Sequence, residues 1–80
     1  MDVTVKLYSF FRIKYDDYNS KTGIRAQIEK GSTIYDLLKK MEIELKHVSI
    51  VRVNGEIVRN LNKSLNDEDT IDIFPLYGGG

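Results

Sequence analysis

The sequence closes on Tyr77-Gly78-Gly79-Gly80, and the α-carboxylate of Gly80 is the group with the best claim to chemistry. Glycine has no Cβ, so Gly78, Gly79 and Gly80 make a thread that can enter a channel too narrow for any side chain. Terminal glycines also occur in frayed ends that carry no function. The residues before the thread favour the first reading. Thr70-Ile71-Asp72-Ile73-Phe74 alternates sides as a strand does, and Pro75 has no amide proton. Pairing is therefore expected to end at Pro75, with the tail projecting from a folded edge.

Composition removes most competing chemistries. There is no cysteine, hence no disulfide, thiolate nucleophile or thiolate metal ligand. His47 is the single histidine and leaves no second imidazole for a zinc site. It lies between Lys46 and Val48 at a helix-to-strand junction, where a solvent-facing loop residue is expected. Twelve basic residues balance twelve acidic ones, so no overall field draws the chain to nucleic acid or anionic lipid. Lys39-Lys40 then reads as the wet side of a helix. No apolar run approaches the ~18 residues of a membrane span, and Met1-Asp2-Val3 does not open an export signal. The expectation is a cytoplasmic protein with neither nucleic acid nor membrane as partner. A chain of 80 residues makes one domain. At that size it buries about 60% of its unfolded surface, too little for a deep active site of its own.

The elements that must position the tail follow from periodicity. Val3, Val5 and Leu7 alternate with Thr4, Lys6 and Tyr8, predicting a strand from Asp2 to about Phe10. Residues 10–23 lose the alternation and gain turn formers, predicting a loop with room for one helical turn. Ile24, Ala26 and Ile28 resume the period of two, and this strand ends at Lys30-Gly31. Thr33 can cap a helix with Asp36 three residues on, and Ile34, Leu37, Leu38 and Met41 form one buried stripe. The helix is expected to end near Lys46. Residues 49–53 and 56–58 flank Asn54-Gly55, a strong antiparallel hairpin signature. Residues 60–69 are polar apart from Leu61 and Leu65, which should tuck beneath the sheet edge. Within them Asp67-Glu68-Asp69 could bind a hard cation or form a solvated turn.

One helix docked on one face of a sheet gives an α+β class. The Gly31-Ser32-Thr33-Ile34-x-Asp36-Leu37-Leu38 helix entry, the Val53-Asn54-Gly55-Glu56 hairpin, the Leu65-x-Asp67-x-Asp69-x-Ile71 approach, and Phe74-Pro75 before Gly79-Gly80 together resemble the MoaD/ThiS sulfur carriers. The resemblance spans nearly the whole chain. It implies a β-grasp, ubiquitin-like fold: a mixed sheet of four to five strands, with residues 1–75 as the domain and 76–80 as a flexible glycine tail. Two positions depart from the family pattern. Glu68 stands where a glycine is common, and Pro75-Leu76-Tyr77 replaces two prolines followed by a small apolar pair.

The resemblance implies a non-catalytic carrier subunit. An adenylating partner would use ATP to activate the Gly80 carboxylate, and a persulfide donor would convert it to a thiocarboxylate. A protein like the molybdopterin synthase large subunit would then direct that sulfur to a precursor of molybdopterin. The carrier itself would bind no cofactor or metal. Delivery to thiamine or tRNA, conjugation of Gly80 to a lysine as a ubiquitin-like modifier, and an inert binding module remain open alternatives. Docking is expected through Phe74, Leu76 and Tyr77 at the root of the tail, because glycines carry little binding energy. Phe74 also has a purely structural reading, as cover for a sheet face or as part of a cluster with Tyr8 and Phe10.

Overall fold

The computed structural model describes residues 1–8, 11 and 21–76. Among them, strands β1 (Asp2–Leu7), β2 (Ile24–Gln27), β3 (Val48–Val53), β4 (Glu56–Ile57) and β5 (Thr70–Pro75) form one sheet with spatial order β2-β1-β5-β3-β4. A single helix, α1 (Ile34–Lys40), covers one face. The central pair β1–β5 is parallel, while β1–β2, β3–β5 and β3–β4 are antiparallel. The sheet is therefore mixed, and the architecture is the β-grasp that the sequence implies.

Alternation decides which face is dry. Val3, Val5 and Leu7 of β1, Ile71 and Ile73 of β5, and Val51 and Val53 of β3 point to one side, where they meet Ile34, Leu37 and Leu38 of α1. Leu65 joins this core and Leu61 packs at its margin, as predicted. Phe11, from the segment read as loop, is buried there too.

Helix α1 starts where predicted. Asp36 N–H donates to Thr33 Oγ1 (3.1 Å) and Thr33 N–H donates to Asp36 Oδ2 (3.0 Å), closing the capping box. The Ile34 and Tyr35 amides, which have no partner inside a helix, donate to the carbonyls of Lys63 and Leu61. The end differs from expectation: α1 stops at Lys40, well before Lys46. The Glu42 amide donates to Lys39 O and the Ile43 amide to Leu38 O, with Glu42 at φ +58° and Ile43 buried. This is a Schellman termination, built on glutamate where glycine is usual, so the sequence carried no stop mark. Leu45–His47 instead forms a 3₁₀ turn leading into β3.

The Asn54-Gly55 turn has φ +52° and +87°, as a type I′ hairpin requires. Asn54 also ties the hairpin to β5: its Nδ2 donates to Asp69 (2.8 Å), and Thr70 N–H donates to its Oδ1 (2.9 Å). The 67–69 carboxylates each have a protein partner. Asp67 accepts from the Asp2 amide (2.8 Å), Asp69 accepts from the Asn66 amide (2.8 Å), and Glu68 meets Arg25 through two bonds of 2.9 and 3.0 Å. Glu68 adopts φ +67°, the conformation a glycine would take most easily, and its backbone amide donates to Asp2 O at 2.7 Å.

Candidate functional site

The face of the sheet opposite α1 presents the candidate site, at the end where β5 runs out. Register places Ile50 beside Phe74, Arg52 beside Asp72 and Ile57, and Lys6 beside Asp72, all on this outer face. Tyr8, just past β1, lies flat on Phe74, with ring centroids 4.2 Å apart and planes 13° from parallel. The Arg52 guanidinium lies over the Phe74 ring, its carbon 4.9 Å from the centroid. Such stacked and cation–π contacts contribute about 0.5 to 1.5 kcal/mol each beyond simple burial.

Asp72 is the buried charge beneath this layer, 7% exposed. Tyr8 Oη donates to its Oδ1 at 3.3 Å, and Arg52 Nε sits 3.3 Å from its Oδ2. Arg52 Nε itself makes no hydrogen bond, so its attraction to Asp72 at this atom is electrostatic. Partial burial, and then the neighbouring Asp72 carboxylate, raise the Tyr8 phenol above its ordinary pKa, so Tyr8 remains a neutral donor. Of the two structural readings of Phe74, the cluster with Tyr8 is present; Phe10 lies outside the described residues.

Strand β5 ends at Pro75, as expected: Val48 pairs with Pro75, Pro75 is fully buried, and one flanking bond follows, from the Leu76 amide to His47 O at 2.9 Å. A register shift between Val48 and Ile50 accompanies this pairing. Proline lacks only its own donor, and the next amide supplies this bond. Leu76 leaves its side chain 51% exposed. Tyr77, Gly78, Gly79 and Gly80 lie outside the described residues.

Beside the tail root a groove of about 300 Å³ runs between β3 and the segment after β4, lined by Leu45, Val48, Ile50, Ile57, Val58 and Leu61. Ile50 and Ile57 are 41% and 57% exposed and line this groove together with the exposed Leu45, so the apolar surface is contiguous. The sequence does not single out Ile50, Ile57 or Arg52, and it gives Tyr8 only as a cluster partner of Phe74. The hairpin alone would have placed Ile57 opposite Arg52. Their meeting with Tyr8 depends on the parallel β1–β5 pairing, which local pattern does not encode. Among the described residues, no group of three His, Cys, Asp or Glu side chains could hold a metal. None of the helices among these residues is long and apolar enough to cross a membrane.

The ThiS family model matches residues 16–80. The chain therefore belongs to the ThiS family, and its fold is the ubiquitin-like β-grasp. No curated protein matches it. Solved structures similar to it include the Haloferax volcanii HVO 2177 protein in solution, at 23% identity and TM-score 0.78, covering 100% of this chain and 87% of that one. The crystal structure of SAMP1 from Haloferax volcanii is 22% identical with TM-score 0.73, covering 100% of both chains. A complex of subunits 1 and 2 of molybdopterin-converting factor from Helicobacter pylori matches at 22% identity and TM-score 0.62, again with 100% of both covered. At these identities the likeness carries the fold.

Proposed function

We propose that this chain is a sulfur carrier acting through Gly80, as the small subunit of a molybdopterin synthase-like complex. What supports the reading is a family match that runs through to Gly80, joined to a described ladder whose last bond is at Leu76. Four residues then follow, and at about 3.3 to 3.6 Å each they can extend some 13 to 14 Å into a partner's cleft while the domain stays outside.

A carboxylate is a poor electrophile, so the chemistry begins with activation. A Gly80 oxygen attacks the α-phosphorus of ATP held by an adenylating partner, expelling pyrophosphate and forming an acyl adenylate. The terminal sulfur of a persulfide donor attacks the acyl carbon and AMP departs. A thiol then cleaves the S–S bond, leaving a thiocarboxylate on Gly80 and a disulfide on the donor side. A large-subunit-like partner directs this soft nucleophile at the precursor. The carrier contributes the tail and a docking face made of Phe74, Leu76 and Tyr77, with Ile50 and Ile57 now added. ATP belongs to the activating partner, and the carrier holds neither cofactor nor metal.

A second reading has the activated Gly80 joined to a lysine amine of a target protein, and the fold likeness to SAMP1 favours keeping it. Mass spectrometry of the chain incubated with an adenylating enzyme, ATP and a persulfide donor separates them. The carrier reading expects a gain of about 16 Da on the C-terminal peptide, oxygen replaced by sulfur. An isopeptide-linked adduct without that gain would favour the modifier. Deleting Gly80 should abolish either product, and an unchanged C-terminus would defeat both.

A further inference from the structure

On the tail-proximal half of the outer face the charges do not cancel. Among the described residues paired across it, Lys6 and Arg52 are cations and Asp72 is the one carboxylate, beneath them. The remaining positions there are Tyr8, Phe74, Ile50 and Ile57. Asp72 is a poor match for the guanidinium it faces. Arg52 Nε lies 3.3 Å from it without hydrogen-bond geometry, although a guanidinium fork fits a carboxylate through two parallel bonds. The Arg52 side chain is still 38% exposed, and the Phe74 ring holds it in place from below. An arginine so fixed has already lost much of the rotamer freedom that docking would otherwise cost.

We infer that the partner seated on this face carries a carboxylate that meets Arg52 and Lys6 within an otherwise apolar contact, so that these two cations set which partner is accepted. The inference rests on reading the chain as a carrier whose tail a partner must seat. It adds the partner's chemistry: an apolar surface around Ile50, Ile57 and Phe74 with an acidic group at its centre. A cation held over an aromatic ring in a patch that becomes dry on docking is the kind of residue that dominates binding. A wrong partner with a neutral or basic group there would bury Arg52 with only its imperfect contact to Asp72, which is how such a charge rejects it.

The test uses two probes from the source organism, the purified adenylating enzyme and the large-subunit-like protein, each titrated with the full-length chain. Arg52→Ala should weaken binding by at least about tenfold, and Arg52→Glu by more. Lys6→Glu, which leaves the Arg52–Asp72 pair intact, should slow association and flatten its salt dependence between about 50 and 500 mM. Arg52→Ala leaves Asp72 without its cation, so thermal melts accompany every variant and Lys6→Glu carries the test if Arg52→Ala unfolds. Restored binding of Arg52→Glu on reversing one partner carboxylate to lysine would identify the acidic group. If the wild type binds either probe and both the Arg52 and Lys6 variants bind it equally well with unchanged salt dependence, the inference is overturned while the carrier reading stands. Failure of the wild type to bind either probe overturns both.

Discussion

Replacing Leu76 with aspartate separates the docking face from the fold, because the structure gives this residue two unequal attachments. Its backbone amide donates to His47 O, and that bond survives a change of side chain. Its side chain is 51% exposed, so about half of its apolar surface is still in contact with water. Fully burying a leucine side chain contributes about 1.5 to 3 kcal/mol, so covering the exposed half would contribute about 0.8 to 1.5 kcal/mol. Placing a carboxylate in the same dry contact adds a desolvation cost, bringing the expected loss of affinity to about 1 to 3 kcal/mol. Folding stability should change by no more than about 0.5 kcal/mol, as for other surface substitutions. Titration calorimetry against the adenylating enzyme, paired with thermal melts, checks both halves. Equal affinities for wild type and Leu76→Asp would show that the tail root is not covered by the partner. A large drop in melting temperature would show that Leu76 belongs to the core.

Leu37→Ala should do the reverse, costing about 2 to 5 kcal/mol of folding stability, since the residue is fully buried beneath the sheet. Denaturant titration reads it directly. A double-mutant cycle on Tyr8→Ala and Phe74→Ala should give a coupling of about 0.5 to 1.5 kcal/mol from the stacked rings, and additivity would show that the stack contributes nothing. Stability should also fall in acid. Hydrogen bonds from Arg25 hold the Glu68 carboxyl below its usual pKa, and those from the backbone and side chain of Thr33 do the same for Asp36. Both contributions are complete above the ordinary carboxylate value of about 4.3 and 3.9 respectively, and are lost as pH falls through the lower folded-state values. Melts of Glu68→Gln and Asp36→Asn across that window should show a shallower pH dependence than wild type.

Local pattern revealed more of this fold than of its docking face. The Thr33 cap, the α1 stripe, the Asn54-Gly55 hairpin and the burial of Leu65 each depend on residues close together in the chain, and each is present in the structure. The end of α1 was hidden because Glu42 adopts a left-handed conformation that its residue type does not announce. The Glu68 turn was obscured for the same reason, and its bonds to Arg25 and Asp2 come from strands distant in sequence. Gly23 is more legible in retrospect: at φ +71°, a Cβ there would lie 2.6 Å from Val5 O. The Tyr8–Phe74–Arg52 layer needs three strands brought together by a parallel crossover, and no local spacing records that. The terminal glycines gave the candidate chemistry directly and Phe74 and Leu76 beside them were legible too, whereas Ile50, Ile57 and Arg52 emerged only from the register.

Strand β5 is held on both sides, by β1 and by β3, and it is also the strand from which the tail departs. A partner that draws the tail inward pulls β5 along its own axis. The ladder bonds to its neighbours run across that axis, so they bear the load together in shear and cannot open one after another like a zipper. An edge strand such as β4, only two residues long, would peel from its end under the same tension. With β5 at the centre of the sheet, tension along it loads both flanking ladders together. Under the carrier reading, seating and release of the tail would then leave the fold intact.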